Sequence, residues 1–204
     1  MSIQLWLAFV ATLAAMSFSP GTGAAAVMAT ALRGGAGRAL PVVLGLQGPM
    51  LLYAFIVALG LSAVVSHGSA LQAIKWAGVA YLVWLGLRSL FAAPAIAPDV
   101  RGHAITGWRS RFTEGFIVNA TNPKTVVFMA ALFPQFVRPG APLGPQLAIL
   151  CSTLLAIDIT VMMGYAHLAA ILARWMKHPR HLAWLNRIIG AWFLVLATLL
   201  ATGP

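Results

Sequence analysis

Apolar residues run along this chain in long blocks, without the polar stripe of a surface helix or the alternation of a half-buried strand. Stretches free or nearly free of charge fall near residues 4–28, 41–65, 69–91, 113–137, 146–172 and 184–202. A helix needs roughly 20 residues to cross a bilayer, and each block is long enough. Lipid offers the backbone no hydrogen-bond partner, so a spanning segment must be a helix or a strand of a closed barrel, and these blocks lack barrel alternation. The pattern predicts an all-α integral membrane protein with six transmembrane helices. Met1 to Gln4 has no basic residue and the first apolar block continues past Pro20, so that block reads as a mature span rather than a secretion signal.

Composition agrees. The 204 residues are 61% apolar and only 8% charged, with a mean hydropathy of +0.90, whereas a soluble domain carries about 25% charge. Six spans leave no room for a separate soluble catalytic domain. A net charge of +10 would suggest nucleic acid in a soluble protein, but in a membrane protein basic residues report orientation. The first, third and fifth connections hold ten of them (Arg33, Arg38; Arg88, Arg101, Arg109, Arg111; Arg174, Lys177, Arg180, Arg187), and the second and fourth hold two, Lys75 and Arg138. The richer set is expected in the cytoplasm, with both termini on the outer side of a bacterial-type cytoplasmic (inner) membrane. Cys151, the single cysteine, excludes an intrachain disulfide and reads as a packing residue.

Two prolines punctuate the blocks. Pro20 interrupts the first within Ser19-Pro20-Gly21-Thr22-Gly23, and Pro123 interrupts the fourth within Asn122-Pro123-Lys124, 103 positions later. Pro41 and Pro145 follow them by 21 and 22 positions. Three spans per half, an odd number, would give the halves opposite topology. The expected architecture is a 3+3 inverted repeat with broken helices 1 and 4. It forms one transmembrane domain over 1–204, with repeat one about 1–91, a cytoplasmic connection about 92–112 and repeat two about 113–204.

A proline break leaves carbonyls unpaired before it and N–H groups free after it. The N–H groups of Gly21 to Gly23 form a candidate site for a small carboxylate, with the Thr22 hydroxyl as a further donor; the plainer reading is a kink with small residues for helix packing. Asp158 lies in the fifth span, where a mid-helix carboxylate costs about 2.5 to 3.5 kcal/mol on insertion scales and must face the bundle interior. It could bind an ammonium, carry a proton, or form a static ion pair with Lys124. Asn119 and Asn122 lie three apart just before the second break, where their amides can satisfy carbonyls or contact a polar ligand. Gln47 and Tyr53 add polar groups to the second span, as readily interhelical hydrogen bonds as ligand contacts. Glu114 reads as an ion-pair partner of Arg109 and Arg111, and Trp76, Tyr81 and Trp84, with Trp6, Trp108, Trp175, Trp184 and Trp192, as interfacial anchors and bundle packing. His178 and His181 lack a third ligand, so no metal site is expected. A nucleophile with its base is also missing from the spans, which disfavours catalysis.

The run Ser19-Pro20-Gly21-Thr22-Gly23, Gly45-Leu46-Gln47, Lys75 to Gly86, Asn119-Ala120-Thr121-Asn122-Pro123-Lys124 and Phe133-Pro134-Gln135-Phe136 resembles the lysine exporter superfamily, in its resistance-to-homoserine-and-threonine branch. The Ser-Pro-Gly-small-Gly form, Gln47 and Asp158-Ile159 look most like the homoserine and homoserine-lactone efflux subgroup. Thr22, Pro49 and Tyr53 depart from the residues many members carry, Pro, Gly and His respectively. The resemblance implies a secondary exporter of small neutral amino acids, homoserine, threonine or their derivatives, driven by proton antiport. It would have no cofactor, with the substrate, protons and lipid bilayer as partners and room for a homo-oligomer. The rival readings are a passive channel for small polar solutes and a membrane-embedded enzyme.

Overall fold

A computed structural model describes residues 1–64, 68–91, 107–138, 140–171 and 179–202. The Ser2 hydroxyl accepts from the Leu5 N–H and starts helix α1 (Ile3–Phe18). Pro20 cannot continue that helix, and the chain restarts at Gly21 as α2 (Thr22–Gly34), bent by 55° from α1. Gly35, at φ +86°, turns the chain in a conformation open mainly to glycine. It leads directly into α3 (Ala36–Val64), which holds Pro41 and Pro49 in its interior. Helix α4 (Gly68–Phe91) follows.

The second half opens with α5 (Trp108–Ala120). Asn122 caps the short α6 (Pro123–Val127), and the pair is bent by 61°. The chain then widens into a π turn at Phe128–Leu132 and tightens into a 3-10 turn at Phe133–Phe136. Pro134 accounts for the change: its ring would clash with the carbonyl of residue 130 in a regular α-helix, and a local π or 3-10 adjustment relieves this. Helices α7 (Leu143–His167) and α8 (Pro179–Thr202) complete the chain.

No strand occurs among the described residues. Ala36–Gly60 within α3 and all of α7 are long and apolar enough to cross a membrane, and each bent pair passes the same test as one crossing. Helices α4 and α8 contain shorter apolar stretches, Trp76–Phe91 and Asn186–Thr198. Both breaks fall where the prolines predict them. Leu52, Phe55, Ile56 and Leu59 on α3 are exposed together, an apolar surface that suits lipid and not water. The protein is an all-helical, multi-pass membrane protein. Trp76, Trp84, Trp108, Trp184 and Trp192 stand exposed, and Trp6 packs within the bundle, donating to the Thr153 hydroxyl of α7 at 3.1 Å.

Glycines set the closest helix crossings. A Cβ on Gly45 of α3 would collide with the Phe112 carbonyl of α5, and one on Gly115 with the Val42 carbonyl, so the two backbones touch. Gly86 and Gly190 bring α4 against α8 in the same way. Helix α7 packs along α3, α1 and α2. Arg101, Arg174, Trp175, Lys177, His178 and the side chains of Lys75 and His181, all weighed above, lie outside the described residues.

Candidate functional site

The two breaks meet. Gly21, Gly23 and Ala24 at the start of α2, Asn122 and Lys124 at the second break, and Asp158 from α7 line one hollow of about 50 Å³. That volume admits a few water molecules. Leu13, Met16, Leu46, Met50 and Met162 form its apolar wall.

The first break frees carbonyls at the end of α1, and the second half of the chain satisfies them. Lys124 Nζ donates to the Met16 and Ser19 carbonyls at 2.7 and 2.8 Å, and the Tyr165 hydroxyl of α7 donates to the Phe18 carbonyl at 2.8 Å. Capping of the second break comes from the first half, where the Tyr53 hydroxyl of α3 donates to the Ala120 carbonyl at 2.8 Å. An unpaired buried carbonyl costs about 1 to 3 kcal/mol, so each of these bonds fixes the direction of a broken end.

The N-terminal sides of the breaks differ. Asn122 Oδ1 accepts from the Lys124 N–H at 3.1 Å, closing α6 with its own side chain. At α2 the cap residue is Gly21, with no side-chain hydrogen bond, and the first bond of the helix runs from the Ala25 N–H to the Gly21 carbonyl. The N–H groups of Thr22, Gly23 and Ala24 precede that bond and therefore have no partner within the helix. They carry the positive end of its dipole beside the hollow.

Asp158 is 6% exposed. One carboxylate oxygen accepts from Ser17 Oγ and the other from Gln47 Nε2, both at 2.8 Å. Gln47 Nε2 also donates to the Val43 carbonyl, while its buried Oε1 has no partner. Lys124 faces the same hollow, but its hydrogen bonds go to the carbonyls of the first break. Lys124 and Asp158 therefore share no hydrogen bond in this arrangement, although the two opposite charges act on each other across the hollow.

Among the sequence candidates, Gly21, Gly23, Asn119, Asn122, Lys124 and Asp158 line the hollow. Ser19 and Pro20 are not part of the lining, though the Ser19 carbonyl accepts from Lys124. Gln47 lies behind the carboxylate. Thr22 and Pro123 are exposed and not part of the lining. Asn119 is committed internally, its amide donating to the Leu46 carbonyl and accepting from Thr125 Oγ1. Ser17, Thr125 and Tyr165 escaped the sequence reading. Tyr165 follows Asp158 by seven positions, two helical turns, a spacing that puts both on one face of α7. His167 is exposed and bonds the Met163 carbonyl of its own helix. No group of three or more potential metal ligands occurs among the described residues.

A small polar hollow at two helix interruptions inside an apolar helical shell defines a membrane protein with a polar site at its helix breaks. The chain belongs to the LysE type translocator family, whose family model matches residues 14–203. It is 40% identical to the homoserine/homoserine lactone efflux protein of Salmonella typhimurium (strain LT2), over 99% of this chain and 98% of the relative. An uncharacterized membrane protein of Vibrio cholerae is 34% identical over 99% and 98% of the two chains. The leucine efflux protein of Enterobacter sp. (strain 638) is 28% identical, over 63% of this chain and 62% of that one. No solved structure matches.

Proposed function

We propose that the protein is a secondary exporter of small neutral amino acids, homoserine, threonine or their derivatives, in a bacterial cytoplasmic membrane, with six spans in a 3+3 inverted repeat. One observation carries the reading: a helix start with unpartnered N–H groups and a buried carboxylate border the same small hollow. These are the two charges a zwitterion presents, in reverse. The N–H groups of α2 would receive the substrate carboxylate, and Asp158 would hold its ammonium or the exchanged proton. The printed names of the relatives, homoserine/homoserine lactone and leucine efflux proteins, point the same way. Reciprocal capping of each break by the opposite half supports the inverted repeat, since a pseudo-twofold axis would turn one arrangement into the other.

Homoserine is larger than a few waters, so the described arrangement must open before it binds. That is the behaviour of a carrier and not of a standing pore. Counterflow in proteoliposomes tests this: vesicles loaded with unlabelled homoserine, threonine or leucine should accumulate the labelled amino acid. An imposed pH difference should drive uphill movement. Labelled solute that only equilibrates, with no response to counter-substrate or pH, would identify a passive channel instead.

A further inference from the structure

The polar contacts and close crossings of the two broken helices divide the molecule differently from its sequence halves. The first broken helix (α1, α2) is bonded to α7: Trp6 to Thr153, Ser17 to Asp158, and Tyr165 to the Phe18 carbonyl. The second (α5, α6) is bonded to α3: Tyr53 to the Ala120 carbonyl, Asn119 to the Leu46 carbonyl, and backbone against backbone at Gly45 and Gly115. In both cases the partner comes from the other half of the sequence.

Between the two pairs the packing is also extensive, α3 lying along both α2 and α7. In the interior, Ala24, Val27 and Met28 of α2 and Val161 and Met162 of α7 form one apolar cluster with α3, a face without directional bonds that can slide. Polar links between the pairs sit at the hollow: Gln47 of α3 donates to Asp158 of α7, and Lys124 of α6 donates to the end of α1. At the ends of the helices, Arg138 donates to Ser2 Oγ at 2.7 Å and Glu114 interacts with Arg33.

We propose that the units that move against each other during transport are these exchanged pairs, α1/α2 with α7 and α3 with α5/α6, and not the sequence repeats. Gln47 is a positioning residue that ties the second pair to the carboxylate of the first. The proposal rests on the transporter reading, and it explains how a ligand would be felt. A donor that takes the Asp158 oxygen now bonded to Gln47 releases one of the two interior polar links. The Gln47 carboxamide, with Oε1 already unpartnered, has no other hold on that pair.

Pulsed electron-spin distances separate the alternatives. In the full-length chain with Cys151→Ser, in nanodiscs, spin labels go on exposed positions in pairs: Leu7 with Ser152, Phe55 with Ile117, Leu7 with Phe55, and Ile117 with Ser152. All four residues on these helices face outward. Homoserine is the probe ligand, and Gln47→Leu is a ligand-free perturbation. Leu7–Ser152 and Phe55–Ile117 should keep one distance throughout, whereas Leu7–Phe55 and Ile117–Ser152 should shift with homoserine and again in Gln47→Leu. Fixed distances within each sequence half, Leu7–Phe55 and Ile117–Ser152, with changes in the other two would overturn the proposal, as would four distances unmoved by both perturbations. Homoserine counterflow by the unlabelled protein is read separately. Its absence would sink the substrate assignment, while the Gln47→Leu distances would still decide which units move.

Discussion

Asp158 was legible in the sequence because a charge inside an apolar block has no cheap structural explanation. Ser17 and Tyr165, which complete its surroundings, were not, since a serine or tyrosine in a membrane helix costs little and signals nothing alone. Asp158→Asn should be well tolerated structurally. Asn Oδ1 can still accept from Ser17, and its Nδ2 can donate to Gln47 Oε1 once the carboxamide turns over, at the loss of the Gln47 Nε2 bond to the Val43 carbonyl. Loss of a hydrogen bond to a charged group is worth about 1.5 to 3 kcal/mol, or about ten- to a hundredfold in apparent affinity. We therefore expect normal insertion, an unfolding temperature near that of the parent, and counterflow reduced by about that factor. Parental, pH-driven counterflow by this variant would remove Asp158 from the mechanism. Asn119→Ala should behave oppositely. It strands the Leu46 carbonyl and the Thr125 hydroxyl in the interior, and should lower stability by about 2 kcal/mol, measured by thermal unfolding in detergent.

At the level of elements, proline marked both breaks correctly because its missing N–H is a local property. The widening at Phe128–Leu132 was not read in advance, since a hydropathy block looks the same in α, π or 3-10 geometry. Glycines separate structural from functional roles most cleanly. Gly45 has backbone where its Cβ would go, so Gly45→Ala must push α5 away, with an overpacking cost of about 1 to 3 kcal/mol. Gly21 is different: a Cβ there meets nothing within 4 Å, and its φ of −136° suits any residue. Gly21→Ala should fold like the parent, yet transport should fall several-fold if a ligand carboxylate approaches the start of α2 through that space. Unfolding temperature and counterflow measured on both variants check the contrast: Gly45→Ala loses stability first, Gly21→Ala loses transport alone. A Gly21→Ala protein with full counterflow would move the carboxylate site elsewhere.

For the whole molecule, the sequence declared which segments are apolar and which connections are basic, but not which helices would pair. In water a helix advertises its buried side by amphipathicity. Here α3, α4 and α7 are apolar around most of their circumference, lipid accepts any face, and partner choice rests on glycine contacts and isolated hydrogen bonds that become meaningful only in three dimensions. The charge asymmetry is more robust, and the geometry bears on it. Arg138, from the basic-poor set, contacts the start of α1 through Ser2, while Arg33 and Arg111, from the basic-rich set, share a different partner, Glu114. Lys124, enclosed at the hollow, belongs to neither. Basic connections are retained in the cytoplasm, so both termini should face outward. A phosphatase fused after Pro204 should be active in intact cells, and a fluorescent protein fused there, if exported unfolded, should stay dark. Adding three or four lysines next to Arg138 should weaken the bias and give a mixed population by protease protection. A bright fluorescent fusion with an inactive phosphatase would place the C-terminus inside, and would mean either an odd number of crossings or an orientation opposite to the one the charges dictate.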